Sequence, residues 1–157
     1  VWLQIRCLTF LPFVFRRRGQ VELVRGILIR AQSVGATLNN SILTGHRAWI
    51  AWREGNLAEV EIFGRKSVEE GQHQQVEVNP LQWVGVWPLT GVAIVQDKIA
   101  VAIDDVRILL APTQQQPLEQ LKVLLEASLE AWDVGKQEEA RALLLQAVPV
   151  AEEMGYL

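Results

Sequence analysis

Residues 92–110 are apolar on both faces of any extended reading, and this limits what the chain can fold into more than any other feature. Two short apolar runs, 92–95 and 99–103, flank Gln96-Asp97-Lys98, and a third, 106–110, follows Asp104-Asp105. At strand length they read as a hairpin and a further strand joined by polar turns. An antiparallel strand with one wet face alternates apolar and polar side chains; these strands do not, so their second face must be covered.

The next segment can supply the cover. Residues 113–116 form a polar linker, and Pro117 suits the first position of a helix, where its missing N–H costs nothing. Leu118, Leu121, Leu124, Leu125 and Trp132 then recur at helical spacing, and Gly135 stops the helix. Glu138 and Glu139 open a second helix at the end where the helix dipole favours acids. Its stripe is Ala140, Leu143, Leu144, Ala147 and Ala151, with Gly155 as terminator and Pro149 expected to kink or shorten it. Leu124, Ala127 and Ser128 in the first helix and Ala140, Leu144 and Ala147 in the second give this pair a form that resembles a tetratricopeptide helix-turn-helix, with Ala131 where the family usually has an aromatic. In that family several hairpins together build a concave peptide-binding groove, which one hairpin cannot form. No upstream copy is read, so the expectation is one helical hairpin laid on a sheet.

Upstream, residues 20–31 read as a strand with Val21, Leu23, Ile27 and Ile29 on one face, and residues 32–45 as a loop. Residues 47–63 read as a hairpin turning at Gly55-Asn56. That register puts Trp49, Ala51, Ala58, Val60 and Ile62 on one face and leaves Trp52 half exposed beside Glu59 and Glu61. Residues 64–75 read as a loop, 76–78 as a short strand, and 83–87 as a strand ended by Pro88. The expected fold is α+β: a small antiparallel β-sheet or partly closed β-barrel followed by a C-terminal α-helical hairpin packed on it. All 157 residues form one domain, with a β-rich part at 19–111, the helical hairpin at 117–155 and an N-terminal segment at 1–18.

Residues 1–15 are mostly apolar and precede Arg16, Arg17 and Arg18, the reverse of the charge order of a secretory signal. The run is short for a membrane span and contains Gln4, Arg6 and Pro12, which favours a buried strand or a stump of a longer protein. One cysteine, Cys7, allows no intramolecular disulfide; it reads as buried and inert, and the expected compartment is cytoplasmic. Asn39-Asn40-Ser41 matches a glycosylation pattern that carries no weight without a secretory signal.

His46 and His73 are too few and too isolated for a metal site, and no cofactor is expected. Gly64-Arg65-Lys66-Ser67 lacks the spacing of a phosphate loop. His46, Asp104 and Asp105 are the thin candidates for an enzyme with an unrecognised site. Residues 1–66 carry ten basic and four acidic side chains, and residues 67–157 five and fourteen, so the halves differ in sign. A basic first half suggests nucleic-acid binding if its arginines share a face. The six tryptophans point elsewhere: Trp52, Trp83 and Trp87, with Arg53, Arg16, Arg17 and Arg18, have the composition of a recognition surface. The leading expectation is a non-catalytic module for protein interaction or assembly, with a protein partner or a second copy; the alternatives are nucleic-acid binding and the unrecognised enzyme.

Overall fold

At Gly55 the backbone turns with φ of +74°, the Asn56 N–H donates to the Ala51 carbonyl and the Gly55 N–H to that of Trp52. This pair of bonds closes a helix, because it satisfies carbonyls left over in the last turn and needs a residue that tolerates the left-handed region. A computed structural model of the protein describes residues 2–35, 40–73 and 79–157 and repeats that motif along the chain. It recurs at Gly19, Asp97, Gly135 and Gly155, each with positive φ and the same two hydrogen bonds. The first four cases join helices in pairs: α1 (Trp2–Arg16) to α2 (Val21–Ser33), α3 (Asn40–Arg53) to α4 (Leu57–His73), α5 (Trp83–Val95) to α6 (Ile99–Leu109), and α7 (Glu119–Asp133) to α8 (Gln137–Glu153).

The described residues are therefore all-helical, with no strand and no barrel, and the expected sheet over residues 19–111 is wrong. The turn at Gly55-Asn56 joins two helices, and so does Gln96-Asp97-Lys98. Residues 20–31 lie in α2, 83–87 in α5, and Asp104-Asp105 in α6 rather than in a turn. The expected loop at 64–75 is helical as far as His73, and the strand expected at 76–78 lies outside the described residues. The helices expected at 117–155 are α7 and α8, with α8 running through Pro149 to Glu153.

Burial explains the misreading. α5 is apolar all round, and Trp83, Val84, Val86, Trp87, Val92, Ala93 and Ile94 are all buried. A helix buried on every side has no polar stripe, so its sequence shows no 3.6-residue period. α5 lies along α3 and α4 on one side and α6 on the other, and α8 touches it as well. The helical cover expected for residues 92–110 is present, but what it covers is helix and not strand: Ile103, Val106 and Leu109 share one core with Leu121, Leu125, Leu144 and Ala147. A second, smaller core of Leu8, Val24, Leu28, Ala31, Leu43, Trp49 and Ile50 joins α1, α2 and α3. The fifth residue after each turn position, Val24, Val60, Ala102 and Ala140, is fully buried, so the hairpins are copies of one plan.

Small residues let the central helices approach. A Cβ on Gly45 of α3 would lie 2.9 Å from the Val84 backbone carbon and 2.8 Å from a Val84 methyl. A Cβ on Gly26 of α2 would meet nothing within 4 Å. Gly45→Ala is therefore expected to destabilise the protein by about 1–3 kcal/mol through overpacking, whereas Gly26→Ala gains up to about 1 kcal/mol of helix propensity. Thermal unfolding of the two variants checks this: opposite shifts of midpoint support the α3–α5 contact, and parallel shifts refute it.

Candidate functional site

Arg16, the last residue of α1, is 1% exposed. A buried guanidinium needs partners for its donors, and no carboxylate provides them among its hydrogen bonds. Its Nε donates to the Gly155 carbonyl at 3.0 Å and its Nη2 to the Tyr156 carbonyl at 2.8 Å, both just beyond α8. These carbonyls stand at the negative end of the α8 dipole, where a cation is favoured. The guanidinium carbon also lies over two indoles, 5.3 Å from the Trp49 ring centre and 5.5 Å from that of Trp83. Burial pushes the Arg16 pKa down to about 9, with Tyr156 opposing the shift, so the charge persists at neutral pH.

The third donor, Nη1, lies 3.3 Å from His46 Nδ1. Arginine can only donate, so Nδ1 accepts and the ring proton sits on Nε2. Nε2 makes no well-formed hydrogen bond, although the Thr9 backbone lies near enough to favour the charged ring slightly. Burial first, and the Arg16 charge second, push the His46 pKa well below its ordinary value. His46 is therefore a neutral acceptor in the core.

An aromatic seam extends from this point across three odd-numbered helices. Phe13 of α1 meets His46 edge-on at 4.7 Å and Trp83 of α5 at 5.3 Å. Tyr156 lies 5.2 Å from Trp83 and 5.4 Å from Trp87, which share a face of α5 because they are four residues apart. Trp83 Nε1 donates to Gln115, and Trp52 Nε1 of α3 donates to Glu152 of α8. Beside the seam an open cleft of about 330 Å³ is lined by Phe10, Phe13, Arg17, Leu81, Trp83 and Met154, among others.

The structure gathers Arg16, Trp52, Trp83 and Trp87 around the end of α8, with Arg17 at the cleft. Arg18 is exposed, and Arg53 lies over Trp49, 6.0 Å from its ring centre. Trp52 is buried, not half exposed, because the face that a strand would turn to solvent is here turned to α5 and α8. The expectation for Cys7 also fails: it is exposed on the outer side of α1. Sequence reasoning missed His46 as a partner of Arg16, Phe13 and Tyr156 as links in the seam, and Gly155 as a point of contact. The detectable signal was the repeat of Gly19, Gly55, Asp97 and Gly135 at intervals of 36, 42 and 38 residues, which implies helical hairpins throughout.

The candidates for catalysis stand in separate surroundings. Asp105 is pushed up to about 6, chiefly by burial, with a Thr90 hydrogen bond opposing the shift, whereas His46 faces Arg16 and Phe13. No group of three or more His, Cys, Asp or Glu side chains among the described residues could hold a metal ion. Of the basic first half, Arg16 is buried and Arg25 pairs with Glu22 and Glu54. No helix of the described residues is long and apolar enough to cross a membrane. No protein-family model, curated protein or solved structure matches the chain.

The lowered His46 pKa sets a pH dependence. The unfolded chain binds a proton at His46 below about pH 6.5 while the folded chain resists it, so folding stability falls as pH drops below that value. The raised Asp105 pKa acts in the opposite sense as pH falls through about 6, so the slope due to His46 must be isolated by comparison. His46→Gln keeps an acceptor for Arg16 and removes the titration. Between pH 7 and 5 the wild type is expected to lose stability relative to this variant by up to about 1.4 kcal/mol per pH unit. Denaturant unfolding at each pH checks this, and equal slopes in the two proteins would refute a buried neutral His46.

Proposed function

We propose that the protein is a non-catalytic interaction module that receives a protein partner on the aromatic side of α1 and α5. The observation that carries this reading is the cleft beside the seam, which has the two ingredients of a protein-recognition hot spot, aromatic anchors and an arginine. Phe10 is 41% exposed, and its ring stacks 6.2 Å from Phe13, which joins the seam. Apolar side chains flank it on the outer side of α1: Leu11 is 41%, Val14 48% and Leu3 69% exposed. Arg17 adds a cation at the cleft for an acidic or carbonyl-rich partner segment. The setting we propose is cytoplasmic, where an exposed Cys7 stays reduced.

Phe10→Asp tests the reading, because it places a charge at the cleft without touching a fully buried side chain. Protein with a photo-crosslinker at the exposed Val14, which leaves Phe10 and Arg17 in place, is expected to capture a defined partner from a lysate of its source, and Phe10→Asp in the same protein to lose at least ten-fold of it. The circular dichroism spectrum should not change. Capture that is indifferent to Phe10→Asp, or no capture by the wild type, overturns the assignment.

A further inference from the structure

We infer that the groove between α2 and α4, floored by α3, receives one amphipathic helix of a partner protein, which turns a carboxylate to Arg47 and an apolar stripe to the walls. This is a second surface. It shares no lining residue with the cleft at α1 and α5, and the inference does not rest on the reading of that cleft.

The groove is built from one stripe of each helix. α2 and α4 both pack on α3 but not closely on each other, which leaves a channel over α3. α2 supplies Arg25, Leu28, Ile29 and Gln32, and α3 supplies Arg47, Ile50, Ala51 and Glu54. Each set follows the i, i+3, i+4, i+7 spacing of a single helix face. Glu59 and Phe63, one turn apart on α4, form the other wall. The channel has a volume of about 380 Å³ and continues past Arg47 to Leu43 and Thr44 of α3 and Lys66 of α4. From Leu43 to Glu54 the floor runs for about 17 Å at the rise of an α-helix, the length of three turns of an occupant. A helix-length channel with apolar walls is the form in which a protein receives an amphipathic helix.

Charge decides the chemistry of the occupant. Arg25 is held by Glu22 and Glu54. Lys66 is held by Glu70, which also accepts from the Thr44 hydroxyl at 2.7 Å. Arg47, half-buried at the middle of the channel, has no carboxylate partner among the described residues. It donates to Gln32 Oε1 at 3.5 Å, which is long for a hydrogen bond. A guanidinium so placed keeps donors for a carboxylate, which it can hold through two parallel bonds. The apolar demand is equally local: Ile29 is 64% exposed on the α2 wall, beside the buried Leu28 and Ile50. Glu59 is exposed at the start of α4, at the Glu54 end of the channel, and has no ion pair among the described residues. That end lies about two turns along α3 from Arg47. An occupant that satisfies both carries an acidic residue and, about two turns further along the same face, a basic one.

The test uses the full chain and a phage-displayed library of helical peptides, three turns long, with one face randomised. Selection on the immobilised protein is expected to enrich peptides that carry apolar residues at helical spacing and a carboxylate among them. Fluorescence anisotropy of one enriched, fluorescein-labelled peptide then measures affinity. Arg47→Gln and Ile29→Asp are each expected to weaken its binding at least ten-fold with an unchanged circular dichroism spectrum. Ile29 is exposed, so its variant decides the outcome should Arg47→Gln fail to fold. Replacing the peptide's carboxylate by the amide is expected to cost as much with the wild type and nothing further with Arg47→Gln. No enrichment, enriched peptides without a carboxylate, a carboxylate that can be replaced without loss, or binding indifferent to either folded variant overturns the inference. So does a wild type that sediments as a dimer and is dissociated by Ile29→Asp, because the groove then belongs to a second copy of the chain.

Discussion

A helix that is apolar on every side must be surrounded before it is stable, and α5 is such a helix. Its thirteen residues carry no charge, and water is kept from most of them by α3, α4, α6 and the end of α8. The rest of the architecture follows from that demand. α3 and α4 must come close, which the small residues allow: an added Cβ on Gly45 would strike Val84, one on Gly64 would strike Leu89, and one on Gly85 would strike Ser67. α6 must fold back at once, and the left-handed turn at Asp97 makes it do so. The last stretch of α5 still has Gly91 facing outward, and Trp52 and Leu157 close over it.

That closure brings the two ends of the described chain together. Arg16 and Gly155 are 139 residues apart in sequence and share a hydrogen bond. The bond joins the C-terminal end of α1 to the C-terminal end of α8, a pairing that helix dipoles alone would disfavour because both ends are negative. The positive guanidinium between them resolves the conflict. It is satisfied by carbonyls and indole faces, and so it needs no buried carboxylate, the second charge whose desolvation would add to the cost. His46 completes the arrangement only as a neutral acceptor, which is why its burial and its low pKa belong to the same structural fact.

How much of this was legible depends on which physical signal each segment carried. Turn chemistry was legible at three of the four reversals that pair the helices; Gly19 was missed, and Asp104-Asp105 was read as a turn although it lies within α6. Gly55-Asn56, Gln96-Asp97-Lys98 and Gly135 were all read as reversals, and all are reversals. What failed was the period between them. α2 has Val21, Leu23, Ile27 and Ile29 at alternate positions, yet only Val24, Leu28 and Ala31 are buried, at helical spacing, and Leu23 and Ile29 face out. In α3 and α5 nearly every side chain is buried, so neither period could show. α7 and α8, at the edge of the molecule with one wet face each, kept a clear stripe and were read as helices.

Length would have separated the two readings where period could not. Residues 83–95 run for thirteen positions without a charged or amide side chain, with Gly85, Pro88 and Gly91 the breaker residues among them, and that is long for a strand and ordinary for a helix. Pro88 invited the strand-end reading, since proline removes a hydrogen-bond donor in either structure. In α5 its site is fully enclosed, with the Thr90 hydroxyl turned back to the Val86 carbonyl in the same turn. The candidate site was visible as a composition of tryptophan and arginine but not as a geometry. Its anchors come from residues 13–16, 46–52, 83–91 and 152–157, and only the folded arrangement of the hairpins brings four such distant segments onto one guanidinium. The residue types there follow from local chemistry, since a buried cation selects aromatic faces and bare carbonyls. Their meeting follows from the enclosure of α5, and that is a property of the whole chain.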